Sequence, residues 1–224
     1  MKRMVLVVLI VLALSAAAFA QSQAEIDKAL LPAPRQLKAD ATVIKWKPDF
    51  TYETLKKGTI FNNLEDTNEV IAIDAQTLKI KSRWPVAPAG QPVSIAMDRQ
   101  KRRLFIGGRG PKMLVVMNAD TGKVIGQPFP IGDRVDANIF DPETGMIAAA
   151  TREGTIHVFH EDSADKISAV ETVKTEFGAK TMALDPKTRN LYVDTSDFGP
   201  PAQPNGQPVA KPGTFRVLIY GPSS

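Results

Sequence analysis

A repeat of about 43 residues constrains the fold of this chain more than any other feature of its sequence. Asp98, Asp141 and Asp185 each close a similar segment and lie 43 and 44 residues apart. The same spacing separates a series of apolar residues: Ile60, Leu104, Ile147 and Leu191. Between turns lie short runs rich in Val, Ile, Leu and Phe, which suit β-strands. A repeat of this length with four short strands is typical of a β-propeller blade.

The turns between the runs support hairpin connections. Asp141-Pro142 and Asp185-Pro186 place Asp at the first turn position and Pro at the second. Proline presets φ near −65° there, and the Asp carboxylate can accept a hydrogen bond from the backbone N–H two residues on. Outside the first 20 residues, a helical segment is predicted only over residues 23–30, before Pro32. The chain is therefore predicted to be all-β.

The repeat resembles that of a known family. Val70-Ile-Ala-Ile-Asp-Ala-Gln-Thr and Met113-Leu-Val-Val-Met-Asn-Ala-Asp-Thr-Gly, with their partners further along the chain, resemble the YVTN-type β-propeller repeat family of YncE-like exported proteins. The resemblance covers residues 58–199 and 214–222. It implies a propeller fold but no particular activity, because propellers carry many functions. Relatives usually have about seven blades, and this chain has room for about four.

The strand count predicts how the ring is closed. Four blades of four antiparallel strands would leave the last blade without its outer strand, because the sequence ends soon after the predicted strand at 214–220. Residues 41–47 and 49–55 both show strand patterns. We expect residues 41–47 to pair with 214–220, so that the N-terminal strand completes the last blade. The alternatives are an open arc and a dimer that completes a larger ring; the chain is otherwise expected to be a monomer.

The first 20 residues predict a secretory signal peptide. A basic start precedes an apolar run from Val5 to Leu14, and the segment ends with Ala18-Phe19-Ala20, which suits a cleavage site. Counted through Ala20, the apolar stretch has about 16 residues, fewer than the ~20 of a membrane span. We expect cleavage after Ala20, a periplasmic or secreted protein, and no membrane span after cleavage. The alternative is an uncleaved N-terminal anchor.

This cleavage divides the chain into three parts. Residues 1–20 are the predicted signal peptide, 21–40 an N-terminal extension, and 41–224 the propeller, with blade repeats from residue 58. The formal charge falls from +4 to about +2 when Lys2 and Arg3 leave, so no nucleic-acid partner is expected.

Composition and spacing suggest no cofactor or metal. The sequence has no cysteine, which excludes thiolate metal sites and iron–sulfur clusters. His157 and His160 are three residues apart on a predicted strand, where they would point to opposite faces. No catalytic residue, metal ligand or cofactor site is therefore assigned.

The loops at one end of the blades hold the candidate binding residues. In a propeller, the loops leading into the inner strands and those joining the second and third strands lie on one side. These loops contain six charged residues assigned to ligand binding: Arg109, Lys112, Arg134, Asp136, Arg152 and Lys180. Equivalent loops of a repeat protein present equivalent positions to a ligand. The long insertion at residues 200–212 is expected to lie over one rim.

Two functions agree with these features. The first is an exported, non-catalytic propeller that binds or scaffolds a protein, peptide or cell-envelope ligand. The alternative is a propeller enzyme, a hydrolase or lyase, working at the channel mouth with Arg134, Asp136 and Lys180.

Overall fold

A computed structural model describes residues 58–201, 203 and 206–221. This part of the chain folds into strands without a helix. The strands run as follows: β1 Thr59–Leu64, β2 Glu69–Asp74, β3 Ile80–Pro85, β4 Pro92–Asp98, β5 Arg103–Arg109, β6 Lys112–Asn118, β7 Val124–Pro130, β8 Val135–Asp141, β9 Met146–Thr151, β10 Thr155–Ser163, β11 Lys166–Lys174, β12 Thr181–Leu184, β13 Leu191–Thr195, β14 Phe198–Gly199, β15 Val209–Ala210 and β16 Arg216–Tyr220.

Several predictions concern residues outside the described part of the chain. They are the signal peptide at 1–20, the extension with its helical turns at 21–40, and the two strand patterns at 41–47 and 49–55. Within the described residues, no helix is long and apolar enough to cross a membrane.

Consecutive strands form antiparallel sheets. Two sheets have four strands in chain order, β4-β5-β6-β7 and β8-β9-β10-β11. In the described residues, two more have three strands, β1-β2-β3 and β12-β13-β16, and a short hairpin pairs β14 with β15. For the described residues, the predicted all-β fold with four-stranded antiparallel sheets is thereby confirmed.

The β14–β15 hairpin was not predicted. It lies in the connection that separates β13 from β16, with β15 inside the insertion at 200–212. The strand expected from residue 214 begins only at Arg216. Gly213 has a left-handed φ of +75° in the turn before it, and Thr214 N bonds back to Lys211 O at 3.4 Å in the same turn.

The hydrophobic core lies between successive sheets. The first cluster joins the first two sheets: Val70, Val86, Leu104, Ile106, Val115 and Met117. The second joins the two four-stranded sheets: Phe105, Leu114, Val116, Val135, Ile147, Ala149 and Phe159. The third joins the last two large sheets: Ala148, Ala150, Ile156, Leu191 and Val193. Because the central sheets are covered on both faces, β5 reads Leu-Phe-Ile without alternation and all three side chains are buried.

Trp84 fills the junction between the first two sheets. Its ring stacks on Phe61 with a centroid distance of 6.3 Å. Gly122, in the turn after β6, also lies against Trp84, and a Cβ there would be 2.0 Å from the indole. Gly122 also has a left-handed φ of +69°, so both space and backbone conformation favour glycine there.

The antiparallel connections divide the sheets into two ends. We call "turn end" the end with the tight turns 75–79, 99–102, 119–123, 142–145, 164–165 and 185–190. We call "loop end" the opposite end, with the connections 65–68, 86–91, 110–111, 131–134, 152–154, 175–180 and 196–215.

At the turn end, the repeated aspartates accept the predicted backbone hydrogen bonds. The N–H groups two residues on lie at 2.7 Å from Asp98, 3.1 Å from Asp141 and 2.9 Å from Asp185. These carboxylates therefore fix equivalent turns in three successive units.

Ion pairs across the turn end tie neighbouring sheets together. Lys101 donates to Glu161 of the next sheet at 2.8 Å, and Arg103 donates to Asp165 at 2.8 Å. Arg189 donates to the buried Asp141 at 2.7 Å. The Glu161 side chain is fully buried, and this burial raises its pKa above the usual 4.5.

Candidate functional site

A pocket of about 470 Å³ opens at the loop end. It is lined by residues from connections of successive sheets: Gln91, Arg109, Asp133, Arg134, Arg152, Lys180 and Gln207. Four of these side chains are cationic and one is acidic. The lining is therefore suited to negatively charged groups.

Local backbone geometry presents the cations at this end. Arg109 is the last residue of β5, before a two-residue connection to β6. Arg134 has a left-handed φ of +55° in the connection between β7 and β8. Arg152 follows β9 in a tight turn closed by a 3.1 Å bond from Gly154 N to Thr151 O.

One side of the pocket is organised by Asp136, behind the lining residues. Its Oδ1 accepts from Arg109 Nη2 at 2.7 Å and its Oδ2 accepts from Lys180 Nζ at 2.7 Å. Arg109 Nε also donates to Val135 O at 3.0 Å. The three charged residues belong to β5, β8 and the connection into β12, so one carboxylate holds two cations from different sheets.

The other side is organised by an amide instead of a carboxylate. The Gln207 Oε1 atom accepts from Arg134 Nη1 and from Arg152 Nη1, the latter at 2.7 Å. The guanidinium carbon of Arg152 also lies 5.6 Å from the ring centroids of Phe177 and Phe198. Arg152 is thereby held by cation–π contacts and by a neutral acceptor.

Gln207 also lines a second cavity of about 260 Å³. It shares four lining residues with the first: Asp133, Arg134, Arg152 and Gln207. Its other lining residues are Glu153, Phe177, Gly206 and Pro208. The second cavity therefore shares two cations with the first and adds an apolar wall.

The structure brings together most of the residues predicted from the sequence. Arg109, Arg134, Arg152 and Lys180 line the first cavity. Asp136 is placed behind them. Lys112 is outside the lining and pairs with Asp133 at 3.2 Å.

Three lining residues were missed: Gln91, Asp133 and Gln207. The two glutamines carry no charge that would mark them in a sequence. For Gln207 there was an indirect signal, because the insertion at 200–212 was expected to lie over one rim.

A half-buried histidine supports the connection that carries Asp133 and Arg134. The Gly132 N–H donates to His157 Nε2 at 2.8 Å, and Thr172 Oγ1 lies 3.2 Å from Nδ1. Burial lowers the pKa of His157 below 6.5. His160 instead pairs with Asp162 at 2.7 Å, so the two histidines have separate partners. Within the described residues, no group of three or more His, Asp or Glu side chains is arranged to hold a metal ion.

Comparison with protein-family models finds no match, and no curated protein matches the sequence. Solved structures do match the fold. Hydrazine synthase of Kuenenia stuttgartiensis is 16% identical, with a TM-score of 0.59, and the match covers 73% of this chain and 42% of that one. A chain of the mitotic checkpoint complex is 18% identical, with a TM-score of 0.52, over 60% of this chain and 43% of that one.

Both structures contain propellers. At these identities the likeness concerns the fold alone, and it supports a propeller-like all-β fold for this chain. The chain spans less than half the length of either protein it matches.

Proposed function

We propose that this protein is an exported, non-catalytic binding module that holds an acidic protein, peptide or cell-envelope ligand at its loop end. One observation carries the proposal: four cationic side chains from successive sheets converge on a single pocket that has one acidic lining residue. A concave site with an excess of one charge concentrates ligands of opposite charge and speeds their association.

The enzyme alternative has weaker support from the geometry. It requires Asp136 to exchange a proton with a substrate, together with Arg134 and Lys180. Both oxygens of Asp136 accept short hydrogen bonds from cations. This arrangement suits a residue that positions Arg109 and Lys180 rather than one that acts as a base.

The binding role is tested by affinity capture from a cell-envelope extract. The variant Arg134→Gln/Arg152→Gln removes two pocket cations, and Lys123→Gln/Lys187→Gln removes two exposed cations at the turn end. The captured ligand should be lost from the first variant and retained by the second. Salt should weaken capture by the unmodified protein, because exposed charge attraction is screened. Equal capture by both variants would contradict the proposal.

We further propose that the chain is a YVTN-type propeller of about four blades, closed by residues 41–47 pairing with β16. In the described residues β16 lies at a sheet edge, and Val217 and Ile219 are 48% and 60% exposed. An apolar edge strand invites association unless it is covered.

Deleting residues 41–47 should lower the melting temperature and promote association. A deletion variant that melts like the full chain and stays monomeric would instead favour the open arc. A full-length chain that is itself dimeric would favour a larger ring completed by two copies.

Export is part of the same proposal. The intact mass of the protein recovered from the periplasm or medium should correspond to a chain that starts at Gln21. A mature form that retains Met1 would contradict cleavage and favour the N-terminal anchor.

A further inference from the structure

Gln207 occupies the position in which a ligand carboxylate would bind most strongly. Its Oε1 atom lies between the guanidinium groups of Arg134 and Arg152. The remaining close acid of Arg134 is Asp133, at 3.8 Å, and Asp133 also pairs with Lys112. The two guanidiniums therefore face an uncharged oxygen, although charged acceptors give hydrogen bonds roughly twice as strong as neutral ones.

The Asp136 side of the same pocket shows the charged counterpart of this arrangement. There, two cations from different sheets share one carboxylate at 2.7 Å from each. On the Gln207 side, two cations share one amide. Glutamine and glutamate have the same length and planar end group, so the site already fits the shape of a glutamate side chain.

The residues beside Gln207 indicate which groups would lie next to a ligand carboxylate bound in its place. Gly206 and Pro208 line the second cavity together with Phe177. The backbone from Val209 to Lys211 is anchored by the β14–β15 pairing and by a 2.8 Å bond from Lys211 N to Asp197 O. Gln207 lines both cavities, so a rotation of its side chain would free the two guanidiniums that its Oε1 atom contacts.

We propose that the site binds a glutamate-containing peptide segment, with the glutamate carboxylate replacing Gln207 Oε1 between Arg134 and Arg152. Gln207 acts as an internal competitor, and the small or apolar neighbours of the glutamate contact the wall formed by Phe177 and Pro208. This inference rests on the proposed binding function and specifies its ligand chemistry.

The test uses the mature protein and two fluorescent peptides. One has the sequence of residues 203–212 with Glu in place of Gln207, and the other has the unmodified sequence. Anisotropy titrations should show at least about tenfold tighter binding of the Glu peptide, equivalent to one charge-assisted interaction. Glutarate should compete with the Glu peptide more effectively than inorganic phosphate, because its carboxylate is planar and sits on an aliphatic chain like that of glutamate, whereas phosphate is tetrahedral.

Variants of Gln207 test the competition directly. Gln207→Ala should tighten binding of the Glu peptide, because the internal competitor is removed. Gln207→Glu should weaken it at least about tenfold, because a carboxylate tethered in the chain would occupy both guanidiniums. Gln203→Glu adds the same charge nearby and is the matched control; its affinity should equal that of the unmodified protein. Gln207→Glu should melt no lower than this control.

Three results would overturn the inference: equal affinity for the two peptides, equal affinity of the Gln207→Glu and Gln203→Glu variants, or competition by phosphate as strong as that by glutarate. The last would indicate a general oxyanion site. If the peptides fail to bind while capture of the envelope ligand still depends on Arg134 and Arg152, the binding function stands and the glutamate assignment is wrong.

Discussion

The two ends of the sheets carry similar charged residues but pair them differently. At the turn end, Lys101, Arg103 and Arg189 each reach a carboxylate of the neighbouring sheet within 2.8 Å. At the loop end, Arg134 and Arg152 share an amide oxygen. These three turn-end cations are thus neutralised within the fold. At the loop end Asp136 likewise pairs with Arg109 and Lys180, but the acceptor that Arg134 and Arg152 share is uncharged and leaves a ligand to supply the negative charge.

This contrast separates residues that stabilise the protein from residues that bind. A buried carboxylate that loses its cation is left without compensation and destabilises the fold. An exposed cation that is removed leaves no such penalty. Substitutions of the buried carboxylates at the turn end should therefore affect stability, and those of Arg134 and Arg152 at the loop end should affect binding.

The largest expected effect is that of Asp141→Ala at the turn end. Asp141 is 1% exposed and accepts from Glu143 N, Thr144 Oγ1 and Arg189 Nη1. Its loss should lower the free energy of unfolding by about 3 kcal/mol, measured by urea denaturation. Asp185→Ala is the matched control, because Asp185 makes the same turn but is more exposed; its effect should be smaller. Equal losses would show that the ion pair between sheets contributes little.

Glu161, at the turn end, should make the protein less stable as the pH rises above 4.5. Burial raises the pKa of Glu161 in the folded protein, so the folded state binds more protons than the unfolded state above pH 4.5. Stability therefore falls as the pH rises through the folded pKa, by at most about 1.4 kcal/mol per pH unit. The stability of Glu161→Gln relative to the unmodified protein should increase over this range in urea titrations. A constant difference between the two would contradict a raised pKa.

At the loop end the dependence should have the opposite sign. Burial lowers the pKa of His157, so the unfolded state binds more protons below pH 6.5. The stability contributed by neutral His157 is complete above pH 6.5 and is lost as the pH falls towards the folded pKa. Melting curves between pH 7.5 and 5 should show a decline that His157→Gln reduces.

His160→Gln is the control for this experiment, because His160 is exposed and lies at the turn end. A decline that persists in His157→Gln would mean that another group is responsible. Together, the two titrations predict opposing contributions from the two ends of the sheets.

The sequence predicted the turn end better than the loop end. The repeat spacing located Asp98, Asp141 and Asp185, and the structure shows the expected turn hydrogen bonds at all three. Short-range turn chemistry depends on residues only two positions apart, so it can be read from the sequence. The ion pairs from Lys101 to Glu161 and from Arg189 to Asp141 span 60 and 48 residues and required the packing of neighbouring sheets.

At the loop end, charge and connection type were enough to predict the four cations that line the first cavity. The role of Gln207 could not be predicted in this way, because a neutral side chain in an insertion has no periodic equivalent in the other units. Nor could the sequence show that Lys112 lies outside the lining, because Lys112 pairs with Asp133 of another connection. The fold follows from the repeat, whereas the details of the site depend on the residues that break it.

The smallest expected effect on stability is that of Arg134→Gln/Arg152→Gln at the loop end. Both side chains are partly exposed, and their shared acceptor, Gln207, is neutral. Cation–π contacts at exposed sites contribute little, so the free energy of unfolding should fall by less than about 1 kcal/mol. The matched substitution at the turn end is Arg189→Gln, which leaves the buried Asp141 without its cation and should lower the melting temperature more. If the loop-end variant proves the less stable of the two, Arg134 and Arg152 serve mainly to hold the sheets together, and the distinction between a stabilising end and a binding end fails.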